Sequence, residues 1–188
     1  MKSLFYFFVC FLFSTIGKAQ SIEDNDNILS ISVGLGSFYK SSDSFNKESP
    51  TLGLMYERAL PLEWERAVIG IGCYAGARSL VSKNSSGFLY YDKHYTFIIG
   101  GLRSSFHYNE WFRSYDLDSY AGIMYSYCIF SLPDKSDYVT GADIPKKKSG
   151  TGPSIYAGLR YYLDKSWAVY GEVGFGLSYL TLGACAKF

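Results

Sequence analysis

The last ten residues carry the pattern that most restricts the fold. From Tyr179 to Phe188 the chain alternates: Leu180, Leu182, Ala184, Ala186 and Phe188 share one face, and Tyr179, Thr181, Gly183, Cys185 and Lys187 share the other. Successive side chains of a β-strand point to opposite sides, so a period of two reads as a strand with two unlike faces.

The same period runs backwards through the chain. In 167–175, Trp167, Val169, Gly171, Val173 and Phe175 oppose Ala168, Tyr170, Glu172 and Gly174. In 155–163, Ile155, Ala157, Leu159, Tyr161 and Leu163 oppose Tyr156, Gly158, Arg160 and Tyr162. Segments 117–131, 94–108, 66–79, 51–60 and 28–39 repeat it with more noise, which gives eight strands. Connections 40–49, 80–93 and 132–150 are long and polar, whereas 61–65, 109–116 and 164–166 are short. Pro50 and Pro153 open strands, and Pro61, Pro133 and Pro145 fall in connections. No strand centre then loses a ladder donor to proline.

Charge indicates which face is wet. Glu57, Arg78, Arg103, Asp118, Arg160, Glu172 and Lys187 share the Gly-rich face, and the opposite face is nearly free of charge. A soluble sandwich turns its charges outward. A barrel in lipid turns them inward, and closure leaves no unpaired edge. The expected fold is therefore all-β: an eight-stranded antiparallel up-and-down transmembrane β-barrel, with long loops outside the cell and both termini in the periplasm. Aromatic placement agrees. Trp64, Tyr108, Trp111, Phe112, Tyr115, Tyr161, Trp167 and Phe188 gather near the short turns, and Phe38, Tyr39, Tyr90, Tyr91, Tyr95 and Tyr179 near the long loops. Two such belts suit rings at the two headgroup levels.

Residues 1–19 read as a signal peptide, with Lys2, the apolar run 4–16, and small Gly17 and Ala19 before a cut at Gln20. The apolar run is shorter than the roughly 20 residues a spanning helix needs. Removing residues 1–19 takes away Lys2 and Lys18 and no acid, leaving 16 basic and 17 acidic residues. That balance excludes a strongly basic nucleic-acid binder. Residues 20–27 read as a polar, exposed lead-in, and 28–188 as the barrel, destined for the outer membrane. Cys73, Cys128 and Cys185 remain, an odd number with no zinc-like spacing, and read as small strand residues.

At this level the residues resemble the OmpA/OmpX-like outer-membrane β-barrel family, in its Bacteroidetes form. The resemblance is most specific in GLRYYLDKSWAVYGEVGFGLSYLTLGACAKF, with its aromatic hairpin, the turn at Asp164-Lys165, Glu172 and the terminal Phe188. PTLGLMYERALPLE is similar to the family's second strand, with Glu57 inward. The resemblance implies an outer-membrane location, and it implies that Phe188 is the C-terminal signal read by the barrel-assembly machinery.

Five residues define the candidate site: Glu57, Arg78, Arg103, Arg160 and Glu172 form an expected ionic network in the lumen. Charges taken from water must be paired, and eight strands leave a lumen just wide enough for side chains to fill. Within the network Glu172 is expected to pair with Arg160 on the adjacent strand. His94 and His107 match no lipid-A-modifying or protease motif and read as ordinary interfacial or lumen residues, so no enzyme is expected. Neither a cofactor nor a metal is expected, since Asp134, Asp137 and Asp143 match no calcium spacing. Lys146, Lys147 and Lys148 read as a solvated loop, with contact to lipopolysaccharide phosphates as the alternative. The expected partners are outer-membrane lipid and lipopolysaccharide, the assembly machinery and an unidentified loop partner, with no nucleic acid. The reading is a structural or surface-interaction barrel; the alternative is a narrow pore for ions or small solutes.

Overall fold

The structure, a computed structural model, describes residues 22–36, 47–61, 67–86, 89–108, 116–131 and 149–188. The proposed signal peptide, Trp64, Trp111, Phe112, Tyr115, Phe38, Tyr39 and the residues 132–148 lie outside them, as do the side chains of His94, Tyr90, Tyr91 and Tyr95.

Eight strands form the wall: β1 (Asn27–Leu35), β2 (Thr51–Leu60), β3 (Ala67–Ser86), β4 (Leu89–Tyr108), β5 (Leu117–Ser131), β6 (Gly150–Tyr162), β7 (Trp167–Phe175) and β8 (Leu180–Lys187). Each pairs antiparallel with its sequence neighbours, and β1 pairs with β8, so the sheet closes on itself. This is the expected eight-stranded up-and-down barrel. Leu60 leads through successive rungs to Ile69, Phe106, Ala121, Ala157, Val173, Leu180 and finally Leu35. The β1–β2 register places residue 25 opposite Leu60, so the circuit closes ten residues out of step. Eight strands with that stagger tilt by roughly 40° to the barrel axis.

The faces separate as the parity predicts. In β1 the odd-numbered side chains Leu29, Ile31, Val33 and Leu35 are exposed, while Ile28, Ser30, Ser32 and Gly34 are buried. Around the wall Leu102 (73 % exposed), Ile123 (65 %) and Phe188 (69 %) face out, and Arg103, Arg160, Glu57 and Glu172 are buried inside. Apart from Arg58, exposed near the terminal end of β2, the described outward side of the wall is apolar, and its inside carries the charge.

Several boundaries differ from expectation. Most of the segment expected as loop 80–93 is strand. The β3–β4 ladder runs seven rungs beyond Ser79↔Thr96, from Leu80↔Tyr95 to Ser86↔Leu89, whereas β4–β5 pairing ends at Thr96↔Ser131 and β2–β3 pairing at Leu52↔Ala77. A hairpin thus rises past the rim, and Lys47–Glu48 joins its β3 edge at Leu80–Val81. Pro153 lies inside β6 and does not open it, beyond the last β6–β7 rung at Ile155↔Phe175.

The lead-in is also not simply exposed. Glu23, Asp24 and Asn25 face solvent, but Ile22 is 2 % exposed and joins an apolar cluster with Ile28, Ala59, Val68, Tyr162, Ala168 and Cys185. Asn25 adopts φ 68°, a left-handed conformation that asparagine tolerates better than most residues. That bend lets the segment fold back across the end of the barrel where β1 begins and β8 finishes, here called the terminal end.

Candidate functional site

Two tiers of ionic side chains cross the lumen. In the tier nearer the terminal end, Arg160 on β6 donates from Nη2 to Glu57 Oε2 at 3.1 Å and from Nη1 to Asp118 Oδ2 at 3.3 Å. β2 and β6 are four strands apart on an eight-strand ring, so the Glu57–Arg160 pair spans the full bore. His107 lies between the same carboxylates, with Nδ1 2.9 Å from Asp118 Oδ2 and Nε2 3.2 Å from Glu57 Oε1. Ionised carboxylates only accept, so both contacts are hydrogen bonds when both ring nitrogens carry protons. An imidazolium and a guanidinium then balance two carboxylates, and the tier is neutral. All four side chains are essentially without solvent contact.

The second tier is centred on Arg103. Its Nη2 donates to Glu172 Oε1 at 2.8 Å and its Nε to Tyr156 Oη at 3.1 Å, while its guanidinium stacks 4.0 Å from the centre of the Tyr156 ring. Tyr156 donates its single hydroxyl proton to the Ser104 carbonyl at 3.0 Å. The Ser105 hydroxyl, 2.9 Å away, is then the donor to Tyr156. Tyr120 links the tiers: its hydroxyl donates to Glu172 Oε1 at 2.9 Å, Arg160 sits over its ring at 5.1 Å, and His107 lies 5.1 Å from it centre to centre. Gly158 makes room for this layer, because a Cβ there would lie 2.7 Å from the Tyr120 ring and 2.9 Å from Glu172.

Beyond the second tier lies a cavity of about 40 Å³, room for roughly three waters, lined by Ser32, Tyr74, Arg103, Tyr170, Glu172 and Thr181 among others. Leu177, from the β7–β8 turn, packs over it with Ile99 and Met124. Gly176 allows that turn with φ 123°, and a side chain there would strike Ser154.

Of the five expected site residues, Glu57, Arg103, Arg160 and Glu172 meet in these tiers. Two expectations need correction. Glu172 does not pair with Arg160; it pairs with Arg103, and Arg160 bridges Glu57 and Asp118. Arg160 lies opposite Tyr170, two residues from the Gly158↔Glu172 rung, and its long side chain reaches across the bore and not along the wall. Arg78 is not part of the tiers. It lies six rungs along the β3–β4 ladder from the Gly72↔Arg103 rung, with its guanidinium 5.2 Å from the Phe97 ring centre. His107 and Asp118 were missing from the expected network, although their inward parity was readable. Phe188 is exposed, and its backbone pairs in both directions with Asn27 at 2.9 Å, which ties the chain end to β1.

No family model matches this chain. No curated protein matches it either. Among solved structures it resembles the Yersinia pestis outer membrane protein Ail in a phospholipid bilayer nanodisc, at 11% identity and a TM-score of 0.48, over 88% of this chain and 100% of that one.

Proposed function

We propose that this chain is an integral outer-membrane barrel that works as a structural and surface-interaction protein and not as a conduit. The side-chain-filled lumen is the observation that carries the reading. Two neutral ionic tiers cross the bore, and an ion would have to displace Arg160 from two carboxylates to pass. Breaking such a buried set costs several kcal/mol. What remains available for function is the surface the barrel presents.

The membrane location is supported by the inverted faces. From Trp167 to Phe175 the outward residues of β7 are Val169, Gly171 and Val173, an apolar band between two exposed aromatics. At strand rise and roughly 40° tilt this band spans about 20 Å along the axis, close to the band outer-membrane barrels bury. In this orientation the terminal end faces the periplasm, with Trp167, Tyr161 and Phe188 at that headgroup level. The seven extra rungs of the β3–β4 hairpin then stand outside the cell as the natural contact surface. Phe188 serves as the assembly signal, and the loop lysines 146–148 meet lipopolysaccharide or solvent.

Two measurements test this. Single reporter cysteines at Ser136 and Leu182, in a background free of other cysteines, are exposed to an impermeant maleimide on intact cells. Labelling at Ser136 but not at Leu182 is expected; equal labelling in folded protein would mean that the Leu182 face is in water. In planar bilayers the protein is expected to stay silent, and steady unit conductance steps would favour the pore.

A further inference from the structure

We infer that residues 22–26 form a strap that corks the terminal end of the lumen and, with the inward strand side chains beneath it, keeps the first ionic tier dry. At that end Ile22, 2 % exposed, joins an apolar cluster with the inward side chains Ile28, Ala59, Val68, Tyr162, Ala168 and Cys185. The strap is held as an extra partner of β2: Asn25 N–H donates to the Ala59 carbonyl at 3.1 Å, and Ala59 N–H donates to the Asp26 carbonyl at 2.9 Å. Its bend is closed by Glu23 N–H donating to Asp26 Oδ2 at 2.8 Å and by Asp26 N–H donating to the Glu23 carbonyl at 3.2 Å. Lys187 Nζ, 3.3 Å from the same Asp26 oxygen, pins the bend to the end of β8.

The asymmetry of these restraints makes the strap a movable part. The wall strands are bonded on both sides around a closed ring. Among the described contacts, the strap is bonded to β2 through Ala59, paired to Lys187 through Asp26, and packed through Ile22. Segments that lie outside a closed ladder open locally before the whole structure unfolds. Release would bring water from the terminal side onto Cys185 and then onto Arg160, Glu57 and Asp118. The second tier and its cavity, packed behind Tyr120, would stay as they are.

Cys185 is a built-in reporter, since it belongs to the cluster Ile22 completes and is 2 % exposed. The experiment uses the full chain folded in detergent micelles, with Cys10, Cys73 and Cys128 replaced by alanine, and follows the reaction of Cys185 with a charged methanethiosulfonate. A companion set retains Cys128 alone, at the far end of β5. Loss of the buried isoleucine in Ile22→Ser is expected to raise the open fraction, and the Cys185 rate, roughly a hundredfold. Asp26→Asn, which weakens the bend and the Lys187 contact without touching the core, raises it by a smaller factor and covers the case in which Ile22→Ser does not fold. The Cys128 rate is expected not to change in either variant. An unchanged Cys185 rate in a barrel that still migrates as folded on unheated gels would overturn the inference. So would a parallel rise at Cys128, which would mean general loosening and not an uncorked end.

Discussion

Replacing Arg160 by methionine probes the ionic lumen most directly. Arg160 is fully buried and donates to both Glu57 and Asp118. Methionine keeps much of the side-chain volume, so packing changes little. What changes is charge: the tier passes from neutral to one uncompensated carboxylate in a place without water. Removing one partner of a buried ion pair costs about 3–5 kcal/mol, and Arg160→Met is expected to lose that much. The assay is urea unfolding in lipid vesicles, followed by tryptophan fluorescence and by migration on unheated gels. Glu57→Gln alone leaves the opposite excess and is also destabilising. Together the two substitutions leave Asp118 facing the His107 imidazolium, neutral again. The double variant is therefore expected to fall short of the sum by at least about 2 kcal/mol. A single Arg160→Met variant within about 1 kcal/mol of the parent would refute the reasoning, because no dry, balanced tier would then exist to disturb. Strict additivity of the pair would refute it as well.

Three other outcomes follow from the same geometry. His107→Leu removes the donor to two buried carboxylates and is expected to cost about 3 kcal/mol or more in the same unfolding assay. Gly158→Val drives a side chain into Tyr120 and Glu172; by the usual scale of overpacking it costs about 1–3 kcal/mol, and thermal unfolding of the vesicle-folded protein would show it. Leu182→Arg places a charge on an outward position that is 54 % exposed on an apolar wall, and a cost of about 2–4 kcal/mol in lipid is expected. No cost at Leu182 would show that this face does not meet lipid.

Parity was legible residue by residue. The alternation in 167–175 and 179–188 placed Glu172 inside and Leu182 outside, because strand geometry permits only two directions for a side chain. The same logic put Glu57, Arg103, Asp118 and Arg160 in the lumen, whereas His107 read only as an interfacial or lumen residue. Three features were not legible. The β3–β4 ladder beyond Ser79↔Thr96 mixes Leu80, Val81, Tyr90, Tyr91 and Tyr95 with Ser, Lys, Asn and Asp in no period of two, so no apolar alternation marked it. Ile22 stood alone among polar neighbours, without a periodic signal to say that the chain turns back. The ion pairs themselves were the third. Which inward residues meet depends on their height in the bore, and height depends on the ten-residue stagger accumulated around eight ladders. That quantity belongs to the closed ring and to no single strand. Sequence alone therefore determined the eight strands of the wall and the faces of their alternating residues, but not how far each strand runs. The tertiary structure alone decided that Arg160 reaches across to Glu57 and leaves Glu172 to Arg103, because only closure of the barrel sets the levels at which opposite walls face each other.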